Sequence, residues 1–412
     1  MNIVVVSICY PPEIRSISTM VREFCEYLAH KGHTVTVLTG WPQYNLSQED
    51  ERRAFQTVTI ERGVRVIRIK TLPTHKVAYL LRGVAQVLLP PLFMWAFRKH
   101  VRERVDAVVV YSPHLPLTVV GNRIKRKTGA RYLLNIQDIF PQGAIDLGIL
   151  KNTWIIKFFE RMERRAYEAA DAITTCTNRA RNLLVERKHV PIECVTVVPN
   201  WIDAMPYDHA QATGALRAVL KLESAFLMVF PGILGPTQGL DFVLDVAKVL
   251  RDHAHIHFVF VGDGTETEHL QKRVRDEEIN NVHFRPFVSP DAYPSLLKEA
   301  DAGLLSLRMD CKTPTVPGKL YGFMASGLPV VAFLNPESEG HEIIQTAQCG
   351  LVMKSRDAAA AARLVLQLAK DAEARKRYGE SGRAYVKRYV TKEVCISQLL
   401  GLLVDEFAIL PP

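Results

Sequence analysis

The chain has 412 residues, 48% hydrophobic and 23% charged, with a formal net charge of +9. That length suggests two domains, and the composition is that of an ordinary soluble globular protein, without a low-complexity tract or a short repeat. Seven cysteines (9, 25, 176, 194, 311, 349 and 395) stand far apart with no C-x-x-C, which argues for reduced, cytosolic thiols and against a disulfide framework or a zinc site.

The start, MNIVVVS, has no basic n-region and no cleavage pattern, so it reads as a first strand rather than a signal peptide. Strands are expected at Asn2–Ser7, His33–Thr39, Val64–Ile69, Asp106–Tyr111, Arg131–Ile136, Ala172–Cys176 and Cys194–Val198. Helices are expected at Ser18–His30, closed by Gly32, and at Leu115–Lys127. This alternation, with strands apolar on both faces, predicts a parallel sheet covered by helices, whose ligands bind at the strands' carboxyl ends. Weight therefore falls on three loops. CYPPEIRSIS is not G-x-G-x-x-G; Arg15, just before a helix, could reach a phosphate or could simply be an exposed arginine. Tyr111–Leu115 is the second. In NIQDIFPQG, Asp138 follows a strand and could hydrogen-bond sugar hydroxyls, take a proton, or merely cap the turn.

Val77–Phe97 holds 16 apolar residues of 21 and is followed by Arg98, Lys99, Arg102 and Arg104. Arg82, Gln86 and Pro90-Pro91 argue against a membrane span. Two short helices are expected instead, buried on the sheet or lying in a membrane interface. Thr153–Ala170, with Trp154, Phe158 and Phe159 beside Lys157, Arg161, Arg164 and Arg165, has the same character. Residues 1–200 hold 29 Lys+Arg against 17 Asp+Glu, and the remainder 23 against 26. A basic first half suggests an anionic partner such as nucleic acid, anionic lipid or a phosphorylated substrate, or else a plainly basic surface.

A break falls in residues 197–214, rich in proline and small polar residues. A second α/β series then begins: strand Phe226–Phe230, helix Leu240–Arg251, strands Ile256–Val261, Val282–Arg285 and Asp301–Ser306, then Gly350–Met353 and three C-terminal helices. Ser289-Pro290-Asp291 reads as N-cap, N1 and N2 of a helix. Gly232 and Gly235 lie between strand and helix, where a diphosphate approaches closely. Gly262 and Gly264 follow the next strand, and by themselves read as turn punctuation. The chain reads as organised around the stretch Cys311–Phe333: a Pro-punctuated loop, a helix from about Lys319 to Ser326 stopped by Gly327, then strand Leu328–Phe333. A loop entering a helix leaves unpaired N–H groups and the positive dipole end, and Lys319 adds a formal charge. Gly318 before it admits a close backbone or ligand. Together with Arg308, these glycine loops fit a nucleotide-diphosphate site. There is no D-x-D; Glu266 and Glu268 at a helix start read as a dipole complement, so no metal is implied. No G-x-S-x-G, H-E-x-x-H or Walker loop occurs.

The motifs YPPE, KGHTVTVLTG, NIQD, VVPNWID, PGILGPTQGLD, VGDG, VPGK and MASGLPVVA, in this order, resemble retaining family 4 glycosyltransferases of the glycosyltransferase-B fold. The bacterial colanic acid, O-antigen and capsule enzymes, L-fucosamine transferases among them, look most similar. The resemblance implies two Rossmann-like domains facing a cleft. An acceptor domain would span 1–203 and a nucleotide-sugar domain 204–389, with a C-terminal helix (390–412) crossing back to the first. It implies transfer from a nucleotide-diphosphate sugar, UDP-linked in expectation, with retention and without metal or other cofactor. The acceptor would be lipid-linked or otherwise anionic, and the protein would sit on the cytoplasmic face of the membrane through its basic half. Nucleic acid is not an implied partner. Asp138 and Lys319 take the catalytic positions; Arg15, Gly232, Gly235, Gly262, Arg308, Pro317, Gly318 and Lys319 take the nucleotide-sugar positions, with Glu339 or Glu342 standing in for a ribose ligand. There are departures. The family's paired glutamates fall near Pro314 and Gly322, the Arg and Lys of the glycine loop at Ile233 and Gln238, a glycine pair at Arg15-Ser16, and a histidine at Asn135. A non-catalytic nucleotide-sugar binder and a nucleotide-sugar epimerase of the same fold are the competing expectations.

Overall fold

A computed structural model describes residues 1–13, 15–43, 46, 50, 52, 54–73, 79–112, 114–146, 150–310 and 316–404. The opening of the central stretch (311–315, with Pro314), the first two residues of the 77–97 segment and the last eight of the chain lie outside the described residues. The chain divides into two compact units. The first is Met1–Asn200 with the segment from Cys395 onward, and the second is Trp201–Val394.

In the first unit, β1 (Asn2–Val6), β2 (Thr34–Gly40), β3 (Val58–Glu61), β4 (Val64–Ile69), β5 (Ala107–Ser112), β6 (Arg131–Ile136), β7 (Ala172–Thr175) and β8 (Val195–Val197) form one sheet in the order β3-β4-β2-β1-β5-β6-β7-β8. All neighbours are parallel except β3 with β4. Branched apolar residues fill the central strands, and Val4, Val6, Val108 and Val110 are buried under the covering helices. That is the pattern a sheet covered on both faces demands. The edge strand β3 is missing from the sequence-level list. Its residues are mostly half-exposed and Ile60 points to water, so it carries no burial signature.

Where two short helices are expected, one helix, Tyr79–His100, runs through Pro90 and Pro91. Each proline removes one backbone hydrogen bond. Leu89, Pro90, Phe93, Met94, Ala96 and Phe97 are nevertheless buried, and packing against the sheet holds the helix through the gap. The helix Thr153–Ala169 is different. Asn152 caps it by accepting from the N–H groups of Trp154 and Ile155, and Phe159, Met162 and Tyr167 turn inward. Buried Glu163 accepts from Lys188 at 2.9 Å and from the Tyr167 hydroxyl at 2.8 Å. Trp154, Ile155 and Phe158 stay outside, with Trp154 83% exposed. Among the described residues no helix is long and apolar enough to cross a membrane.

In the second unit, β9 (Phe226–Pro231), β10 (Ile256–Val261), β11 (Val282–Arg285), β12 (Ala302–Ser306), β13 (Val330–Phe333) and β14 (Gly350–Met353) form a fully parallel sheet in the order β11-β10-β9-β12-β13-β14. The helix expected from Ser289 begins only at Tyr293. Residues 290–292 form a turn instead, in which Ser289 Oγ accepts from the Ala292 N–H at 3.3 Å. Three helices, Ala358–Lys370, Ala372–Tyr389 and Lys392–Leu403, end the described chain. The last begins in the second unit, where Lys392 pairs with Asp203 at 2.8 Å. It ends in the first, where the Leu402 carbonyl accepts from Arg131 and Ser397 meets Tyr27. The six described cysteines are free thiols.

Candidate functional site

The strand order of the second sheet reverses at β9, between β10 and β12. The crevice at the carboxyl ends of β9 and β12 is the ligand position such topology provides. Two loops meet there. The first, from Gly232 to Gly239, links β9 to the helix Leu240–Val249. The second leads from β12 to the helix Lys319–Ser326.

Glycines set the first loop's path. Gly232 has φ +116°, and a Cβ on it would stand 2.9 Å from Lys319 Cε. Gly262, with φ +155°, would put a Cβ 1.9 Å from the Gly232 carbonyl oxygen. No side chain fits there, so Gly262 is where the loop after β10 braces the loop after β9, backbone on backbone. Gly235 has an ordinary backbone, and a Cβ on it would make only ordinary contact, 3.6 Å from the Ile233 side chain.

Lys319 is the first residue of its helix. Its ammonium donates to Gln238 Oε1 at 3.2 Å and lies 4.4 Å from the centre of the Phe230 ring. Loss of water around it pulls its pKa down to about 8. Among the described residues its one side-chain acceptor is a neutral amide, so the cation is held against the glycine loop with no carboxylate of theirs bonded to it. Gly318 has an ordinary helical φ of −58° and open space around it; its use is room rather than conformational freedom. Pro317 packs toward Gly340, at 3.2 Å from the position of a Cβ there. Glu339 is buried at the start of the helix Gly340–Thr346, one residue from that contact, and Glu342 is exposed in its first turn.

The glycine loop also borders a cleft of about 520 Å³ lined by Gly235, Gly239, Leu240, Glu266, Arg308 and Arg356, among others. The Arg308 N–H donates to the Thr237 carbonyl at 2.9 Å, and its guanidinium is tied to Asp310. Arg356, absent from the sequence-level candidates, stacks 4.5 Å over Phe242 and donates to the Leu307 carbonyl. It stands three residues beyond the end of β14; asking which basic residues follow each strand's carboxyl end would have found it.

The departures have physical causes. A Cβ at Gly322 would be in ordinary contact, at 3.5 Å, with the Tyr207 hydroxyl and with the Tyr293 ring and hydroxyl, so two phenols border the position a glutamate would occupy. The other glutamate position, Pro314, is outside the described residues. Asn135, in place of a histidine, has both ends engaged, donating to Thr174 at 3.0 Å and accepting from Gln137 at 2.6 Å.

Two candidates lie in the first unit, which also has its order reversal, between β2 and β5 around β1. Arg15 immediately precedes the helix Ser16–His30, but its guanidinium is turned onto Glu13 at 3.7 Å and Cys9 Sγ at 3.6 Å. Burial pushes the Cys9 thiol up to about 12. Asp138 follows β6 with its side chain touching water, yet the protein crowded around its carboxyl raises the pKa above the usual range.

Among the described residues, one group of side chains could hold a metal: Asp241, Glu266 and His269. Asp241 already accepts from His269 at 2.9 Å and from Arg273 at 3.1 Å. Glu266 and Glu268 sit at the start of the helix Thr267–Asp276, in position to complement its dipole.

Residues 16–201 match a family described as a glycosyl transferase 4-like domain, and residues 215–385 match glycosyl transferases group 1. Over 357 residues the chain is 29% identical to WcaI of Escherichia coli (strain K12), whose name assigns it to colanic acid biosynthesis as a glycosyl transferase; the alignment covers 84% of this chain and 86% of that one. Among solved structures, Anabaena Alr3699/HepE in complex with UDP aligns with a TM-score of 0.73 at 14% identity, covering 98% of this chain and all of that one. WaaG, a glycosyltransferase involved in lipopolysaccharide biosynthesis, aligns with a TM-score of 0.67 at 15% identity, covering 97% and 100%. At such identities the structural likeness concerns the fold.

Proposed function

Because this chain belongs to the glycosyltransferases, with their B-type fold of two α/β domains, we propose that it transfers a sugar from a UDP-linked donor to a lipid-linked or otherwise anionic acceptor in surface polysaccharide synthesis. The observation that carries this reading is the Lys319 ammonium, stripped of water and held on the Gly232 loop at the β9/β12 switch point. The donor's bond from anomeric carbon to diphosphate oxygen breaks, and the acceptor hydroxyl oxygen bonds to the same face of that carbon. Bonding on that face retains the configuration, and the hydroxyl proton leaves to the departing diphosphate. Charge grows on the diphosphate as this happens, and a preorganised cation with little water around it favours that state over the bound donor. In this scheme Lys319 acts without a metal. Asp138, with its raised pKa, positions the sugar or acceptor hydroxyls from the first unit.

The acceptor reading draws on the first unit's surface. Trp154, Ile155 and Phe158 project from one end of a helix that also bears Lys157, Arg161, Arg164 and Arg165, the composition of an interfacial helix meeting anionic headgroups. We place the protein on the cytoplasmic face of the membrane as a peripheral enzyme.

The test is incubation with UDP-sugars and a lipid-linked acceptor. Transfer, or slow release of free sugar from the donor, supports the proposal. Separately, UDP should raise the melting temperature, with EDTA leaving the shift in place; a shift seen only with added magnesium or manganese would overturn the metal-free scheme. Gly322, with tyrosines where a glutamate would reach, favours one rival, a binder without turnover. UDP binding with no transfer or hydrolysis for any donor would establish it.

A further inference from the structure

The cleft beside the glycine loop holds two polar groups that the protein leaves unmatched. Arg356 Nη1 is buried and, among the described residues, has no hydrogen-bond partner. Its other terminal nitrogen is spent on the Leu307 carbonyl, and the guanidinium face on Phe242. Gly239 makes this approach possible, since a Cβ there would stand 2.7 Å from Arg356 Nη2. Glu266, half-buried on the same wall, has no side-chain partner among the described residues. The other charges are engaged: Arg308 with Asp310, and Asp241 with Arg273 and His269. A buried donor left unpaired costs free energy that a ligand acceptor would recover.

Charge decides what kind of ligand this is. Asp241, Glu266 and Asp310 face the cleft against Arg308 and Arg356, a formal balance of −1 that gives an anion no advantage. A neutral group that both accepts and donates fits an unmatched donor and an unmatched carboxylate at once, and a hydroxyl does both. Leu240, Leu270 and Met309 supply apolar surface between the polar groups. The volume, about 520 Å³, is within the range of small-molecule sites, roughly 300–1,000 Å³. We infer that this cleft binds a polyhydroxylated ring, with Arg356 donating to a ring hydroxyl and Glu266 accepting from one. Such a ring has two sources, a sugar or the ribose of a nucleotide. Only the ribose arm rests on the donor reading above.

Saturation-transfer NMR on the intact protein tests this with D-glucose, D-galactose, N-acetyl-D-glucosamine and uridine as probes. Transfer to the ring protons of at least one probe is expected. Its affinity should weaken about tenfold in Arg356→Ala and in Glu266→Ala, the loss for one hydrogen bond to a charged group. Glu266→Ala removes a side chain with no hydrogen-bond partner among the described residues, at the small cost of one helix-dipole complement, so it serves even if Arg356→Ala unfolds. Hexose binding that persists under saturating UDP assigns the cleft to a sugar. Displacement of the hexose by UDP, with the Glu266→Ala variant also weakened toward uridine, assigns it to the ribose. If UDP fails to bind while a hexose binds in the Arg356- and Glu266-dependent way, the donor reading falls and the ring site stands. No saturation transfer to any probe, or affinities unchanged in both folded variants, overturns the inference.

Discussion

The two units divide charge and geometry between them. With the acidic closing segment counted in, the first unit carries an excess of ten positive charges, while the second, Trp201–Val394, is negative by one. Yet the constructed part of the candidate site is in the nearly neutral unit. There Lys319, Arg308 and Arg356 each touch the glycine loop that follows β9. In the basic unit Arg15 is turned onto its own neighbours, and Asp138 follows β6 with its side chain exposed. Long-range charge and local chemistry are therefore separate properties. A field needs only many cations over a surface, whereas stabilising one leaving group needs a single cation, desolvated and fixed.

If the neutral unit carries the leaving-group chemistry, Lys319→Ala should lower turnover by about 10²–10³-fold, with UDP affinity less affected. Near-normal transfer by a folded variant would move the chemistry elsewhere. Asp138→Asn should reduce transfer by about 10²-fold, the lower range for a group that handles protons or hydroxyls, and leave UDP binding intact. A loss of UDP binding in that variant would erase the division between units. Gly262→Ala should destabilise the second unit by about 2–4 kcal/mol, through a clash with the Gly232 carbonyl and a backbone angle that other residues avoid. Thermal unfolding checks this, and a melting temperature within a degree of the parent would show that the loop yields cheaply.

For the basic unit, Trp154→Ala with Phe158→Ala should weaken binding to anionic vesicles by roughly thirtyfold, since each exposed aromatic offers about a kcal/mol of burial. Replacing Arg98, Lys99, Arg102 and Arg104 with glutamine should instead reduce the salt dependence of sedimentation. Binding that ignores both changes would leave the basic surface merely solvated. The smallest effect is protonic. Lys319 is charged below about pH 8 and loses its proton above it, so UDP binding should weaken as pH rises through 8. Near pH 8.5 binding should take up a fraction of a proton, measurable by calorimetry in buffers of different ionisation enthalpy. The stability sign is opposite. The unfolded lysine holds its proton to about pH 10.4, so between pH 8 and that value the unfolded state binds more protons, and this residue's contribution to stability rises with pH.

Strand positions in both sheets were legible because buried parallel strands are continuous apolar runs. β4, β6, β10, β11 and β14 coincide with their expected limits. The helix Lys319–Ser326 was legible from its glycine stop, which adopts the left-handed φ of +71°. The helix Asn178–Lys188 was not: its eleven residues are mostly charged or polar, and the local signal is Thr177, which caps it by accepting from the Ala180 N–H. Two segments of like composition also met different fates. Tyr79–His100 buries one side in the core, whereas the first turns of Thr153–Ala169 remain outside. Composition states how apolar a segment is, and only the packing partner decides which residues it hides. The site was legible at Lys319 and the glycine loop, where motif and position coincide. It was illegible at Arg356, whose contacts with Leu307 and Gly239 link positions 49 and 117 residues away in the chain.

The closing helix has a consequence for how this protein can be taken apart. Since the first unit takes in both Met1–Asn200 and the segment from Cys395 onward, it is a discontinuous body with the second inserted into it. A fragment cut after Asn200 loses the Leu402 carbonyl that receives Arg131 and the Ser397 hydroxyl beside Tyr27. The inserted unit has its own closure, a bridge between Ile202 and Thr391 that brings its two ends together. It is therefore the half to excise, whereas the outer half is better recovered by circular permutation, with a short linker where the insert was removed.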